Sequence, residues 1–492
     1  MKGTPQQFFV GPLSFRFEAA TGLVRDICFH GQEVLRGIYP AVRDGDWATV
    51  PPQVEPPEVH TASDSVQVVL QAHVLAPGIE VEWTARIEAD TKGRLRYGWR
   101  GTAKRASKTN RTGLCVLHPA EAAGTPCEIE HTDGSRERGS FPKDISPHQP
   151  FRDIRAVTYD VNGRFGISLR VTGDVFEMED QRNWTDASFK TYCRPLTLPY
   201  PYDLPPGATV EQSVTLEVRT RSTEAVAAPA APSNQPTLLR LPEIGFTLPG
   251  PVPSGLRARL RALNPGHVRV ETTCESARET LAWAVREADF LECTLVLAVR
   301  GADGPLLPIS SLPQNCALHL FDSIGNSVST KTLEEWSRAE HRSLATGTLH
   351  NFAELNRHRP PTHGVHAATV FGINAQVHAS DDESVLETLT QHRVVALAAQ
   401  EIGHGRPVIV APISLGRTPD SVDPRVREKF GAEWLLGSLK ELAQSNCVPS
   451  VTYFQTHGPI GFLDERRDTP VERLLLSLVG RQAIASTFSL PE

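Results

Sequence analysis

One carboxylate and two imidazoles in the second half of this chain carry the chemistry needed to activate water. Glu354 lies in HNFAELNR, His378 in FGINAQVHASDD and His457 in YFQTHG. A carboxylate whose pKa is raised by burial, or a neutral imidazole, takes a proton from water, and an imidazole can return one to a departing oxygen. Glu354 is expected as general base, with His378 or His457 as the acid. Six further residues can hold a developing oxyanion or contact hydroxyls: Asp322, Asn356, Asn374, Gln376, Arg417 and Gln455. Each has a plainer reading as well. Asp322 at a strand end suits a turn, a histidine there often only satisfies a backbone carbonyl, and Ser380-Asp381-Asp382-Glu383 reads as a helix capping box. HxH and HExxH spacings, a GxSxG elbow and a glycine-rich phosphate loop are absent from the sequence, so no metal, serine triad or cofactor is expected.

Something must bring these scattered residues to one place. Residues 8 to 218 hold short runs such as LSFRFEA, SVQVVLQAHVL, IEVEWTARIEA and VEQSVTLEVRT, which alternate apolar and polar with period two. That pattern marks half-buried antiparallel strands, and an N-terminal antiparallel β-sandwich over residues 1–220 is expected. RSTEAVAAPAAPSNQPT then breaks the pattern, giving a linker over 221–238. Beyond it strands alternate with helical stretches. Eight strand-like runs, from PEIGFTL at 242 to SVTYFQTHG ending at 458, predict a (β/α)8 TIM-like barrel over 239–480. Helices after strands three and five are weakly marked, and FAELN starts no clear helix. The tail 481–492 is a candidate strand on the β-domain. In such a barrel the strands' C-terminal ends carry function, and the nine residues named above fall there. Glu271, at the end of strand two, joins them as a further carboxylate.

At 492 residues, with 40% hydrophobic and 22% charged, the chain suits two globular domains. A net charge of −7 with dispersed arginines argues against nucleic-acid binding and leaves a small-molecule partner. No apolar run reaches signal-peptide or membrane-span length, so a cytoplasmic protein is expected; its oligomeric state is not legible. The eight cysteines are widely separated and read as buried thiols.

Longer motifs add to this. RGIYPAVRDGDWATVPP (36–52), GLCVLHP (113–119), SFPKDISPHQPFRDIRA (140–156) and GDVFEMEDQRNWTDASFKTYCRPL (173–196) resemble the N-terminal signature of the D-apionate lactonases, and AELNRHRP, FGINAQVHASDD and EWLLGSLKELAQSNCVPSVTYFQTHG resemble that family's barrel. The resemblance implies hydrolysis of a branched-sugar lactone, D-apionolactone, to D-apionate by carboxylate-assisted attack of water. It also implies a Glu in strand eight where this chain has Gln455. Two other readings stay open: a glycoside-hydrolase-like barrel enzyme, and a sugar- or lactone-binding homologue without turnover. The run 176–196 is expected either to wall the site or to form a network in which Glu177, Glu179, Asp180 and Arg182 pair with one another while Trp184, Phe189 and Tyr192 bury against the barrel.

Overall fold

The computed structural model describes residues 5–221, 237–304, 312–340, 342, 344–418 and 420–490. Its contacts divide the chain into two compact units, Met1–Gln181 with Ser188–Ser233, and Arg182–Ala187 with Asn234–Glu492. Most of the predicted linker, residues 222–236, falls outside the described residues.

The first unit is an antiparallel β-structure of the expected sandwich class. Strand Ser65–Ala76 buries Val66, Val68, Leu70, Ala72 and Val74, and its neighbour Ile79–Asp90 buries Val81, Trp83, Ala85, Ile87 and Ala89. These inward residues pair across the ladder, Ala72 opposite Trp83 and Val68 opposite Ile87, so one face of each strand feeds the apolar core. Gly78 closes the hairpin at φ 76°, a conformation that costs glycine little.

The segment 176–196 forms two of these strands, Phe176–Asp180 and Ser188–Cys193. Its carboxylates also take partners beyond the set expected. Glu177 accepts from the Tyr192 hydroxyl at 2.6 Å and from the Leu196 amide, Glu179 holds Lys190 at 2.7 Å, and Asp180 accepts from the Ser146 amide. Phe189 packs edge-on against Phe141 in the sandwich core, because strand alternation turns it to the face opposite Tyr192 and Lys190. Burial holds the Lys190 ammonium below its usual pKa, and the charges of Arg43 and Arg111 push it the same way.

The second unit contains a closed barrel of eight parallel strands. They are Glu243–Thr247, His267–Thr273, Thr294–Arg300, Cys316–Phe321, Leu344–Asn351, Ala368–Asn374, Val408–Ser414 and Ser450–Gln455. Continuous apolar runs such as TLVLAVR and VIVAPIS are what a strand buried on both faces requires. Strand five runs into a short helix, Phe352–Arg357, which corrects the reading of FAELN as non-helical. The long helical stretch after strand six divides into Asp382–Glu387 and Leu389–Ile402. Its cap is Asp381, whose carboxylate accepts from the Ser384 amide, one residue later than expected. Helix Pro470–Leu478 carries a complete capping box from Thr469 and Glu472.

The C-terminal strand, Ala483–Ala485, is also placed differently from the expectation. It pairs antiparallel with Leu238–Arg240, not with the β-domain, because the chain leaves helix Pro470–Leu478 through a turn at Gly480 and returns to the segment that enters the barrel. No helix among the described residues is long and apolar enough to cross a membrane.

Candidate active site

The rim above strands five and six gathers the largest group of expected residues. Helix Phe352–Arg357 buries Phe352, Ala353, Leu355 and Asn356, which leaves Glu354 on its half-buried side. There the carboxylate pairs with Arg357 Nη1 at 3.0 Å and His358 Nε2 at 3.5 Å. The Arg357 guanidinium lies 5.1 Å from the Trp184 ring, and Trp184 meets His378 edge-on, with centroids 5.3 Å apart. Asn356 donates from Nδ2 to Asn183 Oδ1 at 3.1 Å, and its own Oδ1 accepts from Arg359.

The decisive contact is His378 Nδ1 to Asp186 Oδ2, 2.6 Å apart, with side chains 15% and 19% exposed. A carboxylate at Nδ1 holds the proton there and leaves Nε2 as the basic nitrogen, the orientation a histidine base requires. Asn183, Trp184 and Asp186 come from the short stretch Arg182–Ala187, which belongs to the barrel's compact unit although its neighbours on both sides are sandwich strands. Glu354, Asn356 and His378 are thus brought together through it.

The other expected residues take separate places. Asn374 accepts from Ser414 Oγ at 2.8 Å where strands six and seven end. Gln376 donates from Nε2 to the Leu415 carbonyl at 2.6 Å and to Asp423, and Arg417 is exposed. Asp322 accepts from the amides of Ile324 and Asn326, so its side chain serves a turn. His457 shares a hydrogen bond with Thr456 Oγ1 at 2.8 Å, and burial keeps its pKa below the usual value. A bulge at Phe454, φ 41°, shifts the last strand's register so that Gln455, not Phe454, stands opposite Thr247.

Strand two supplies two residues that the sequence reading passed over, His267 and Arg269, beside the expected Glu271. His267, Arg269 and Glu271 alternate on the lumen side of His267–Thr273, and His267 fits because residue 245 is glycine: a Cβ there would lie 2.2 Å from its Nε2. Arg269 donates from Nη1 to Glu271 Oε1 at 2.7 Å and holds that carboxylate's pKa below its usual range, helped by Arg300 and His350. A charged residue inside the otherwise apolar run HVRV was the available signal for Arg269. For Asp186 there was none, since the chain separates it from His378 by 192 positions.

Residues 2–221 match the family described as D-apionate lactonase, N-terminal domain, and residues 337–483 match its TIM barrel domain. The D-apionate lactonase of Brucella anthropi is 30% identical over 498 residues, which cover 89% of this chain and 81% of that protein. This chain belongs to the D-apionate lactonase family. Membership supports a lactonase function. Among solved structures, the Slr1438 protein of Synechocystis sp. PCC 6803 is 11% identical with a TM-score of 0.32, covering 45% of this lactonase-family chain and 98% of its own. The galactose 1-epimerase of Lactobacillus acidophilus is 8% identical with a TM-score of 0.28, covering 43% and 93%. The α-galactosidase AgaA of Geobacillus stearothermophilus is 9% identical with a TM-score of 0.30, covering 96% and 85%.

Proposed function

We propose that the protein opens D-apionolactone to D-apionate, with His378 as the base that takes a proton from water. The hydroxide attacks the acyl carbon, the bond from that carbon to the ring oxygen breaks, and the imidazolium returns the proton to the departing oxygen. Asp186 is the assisting carboxylate: it fixes the tautomer and stabilises the imidazolium while it lasts. The observation that carries this reading is the 2.6 Å contact between His378 and Asp186 beside an aromatic wall, Trp184, in a chain of this family.

Glu354, expected as the base, suits a supporting role better. Its oxygens are engaged by Arg357 and His358, and a carboxylate that holds Arg357 against Trp184 keeps the wall in place. Asn356 would contact the substrate's hydroxyls from the same rim, and Asn374 and Gln455 from strand ends farther round the barrel.

The test is His378→Gln assayed by pH-stat on D-apionolactone. Turnover is expected to fall by at least about a hundredfold, the usual contribution of a positioned base, while the folded state persists. A variant that keeps the wild-type rate removes His378 from the reaction.

A further inference from the structure

The barrel lumen below the mouth holds a guanidinium that the protein satisfies along one side only. Arg269 is 0% exposed. Its Nη1 is taken by Glu271, but Nε and Nη2 find no hydrogen-bond partner among the described residues. Those two N–H groups share one edge of the planar guanidinium, directed in parallel and spaced for two coplanar oxygens. Leaving a buried charged donor unmade is costly, so this edge calls for an acceptor that the folded chain does not itself supply.

Two neighbours carry the same signature. Thr247 Oγ1, on the residue paired in register with Arg269, and His319 Nδ1 in strand four are both buried without a partner among the described residues. His319 stays neutral, its pKa pushed down to about 3 by burial and then by the charges of Arg269 and His267, so it offers a hydrogen bond and no charge. Glu271 is 42% exposed, and the way in therefore passes its carboxylate.

Charge and shape select the occupant. A guanidinium edge repels a metal cation, and a dianion such as phosphate would meet Glu271 on the way. What fits is one carbon bearing two coplanar oxygens, as in an ester or a monocarboxylate. We propose that the free edge of Arg269 seats the carboxylate of a sugar acid, held in the lumen below the rim on which His378 lies. Taken as the product of lactone opening, this ligand rests on the lactonase reading; taken as a sugar acid of any origin, it does not.

Binding of the four-carbon aldonate D-erythronate, with erythritol as the uncharged control, tests the seat by calorimetry on the full chain. Erythronate is expected to bind at least about tenfold more tightly than erythritol. Arg269→Lys keeps the positive charge but offers a single point of donation, and should weaken erythronate binding by about tenfold or more. Glu271→Gln leaves an acceptor for Nη1 and removes the competing carboxylate, so erythronate should bind several-fold more tightly even where the lysine variant fails to fold. Equal binding of the two probes, no binding of erythronate, or unchanged or weaker binding in Glu271→Gln overturns the proposal. Discrimination between the probes without any lactone turnover leaves the seat intact and sinks the lactonase reading; turnover without discrimination does the reverse.

Discussion

Replacing Asp186 by Asn isolates the electrostatic part of the His378 contact. Asparagine keeps the size and can still accept from Nδ1–H, so the imidazole stays near its place, but the negative charge is lost. With both side chains mostly enclosed at a separation of 2.6 Å, the contact is a charge-assisted hydrogen bond, of which about 1.5–3 kcal/mol is at stake. That interaction strengthens as His378 gains its proton in the transition state. At 1.36 kcal/mol per decade, turnover should fall by roughly 10- to 150-fold. Initial rates of D-apionolactone opening, followed by pH-stat near neutrality, report the loss. A variant within twofold of wild type would show that Asp186 does not act through His378.

Three further outcomes are expected. Glu354→Gln removes one half-exposed ion-pair partner, for which about 0–1 kcal/mol is typical, so turnover should stay within about tenfold of wild type; complete loss in the same assay would restore Glu354 as the base. Burial pushes the pKa of His392 down to about 3, well below the ordinary value of about 6.5 that it regains on unfolding, so the unfolded chain takes up a proton the native state refuses. Stability is then whole above about pH 6.5 and drains away as the pH falls toward 3, and His392→Phe should flatten the fall of Tm across that window; an unchanged slope would discount the histidine. Thr469→Ala breaks the capping box of helix Pro470–Leu478 and should cost about 1 kcal/mol in denaturant unfolding, whereas Thr469→Ser should cost much less; equal losses would place the effect in packing.

The barrel strands were legible to within a few residues because doubly buried strands must be apolar throughout, and runs such as CTLVLAV and PVIVAPISL admit little else. Alternation exposed the sandwich strands equally well. The helix after strand five was not legible: Phe352–Arg357 is too short to display a helical period. Gln455 was placed at the mouth by simple position, yet it stands opposite Thr247 only through the bulge at Phe454, which reverses the parity that alternation from Thr452 would have set. Asp186 was hidden for a different reason. In NWTDAS it reads as a turn residue, and its partner is supplied by topology, which no local spacing encodes.

The excursion Arg182–Ala187 sets a rule of inheritance. A gene split at the Ala/Pro-rich junction would look harmless, delivering a barrel with all eight staves, yet that product would have His378 without its acid and Arg357 without its indole. Recombination that grafts this barrel onto a foreign front half would meet the same silence, unless the newcomer carried its own version of NWTD to the same spot.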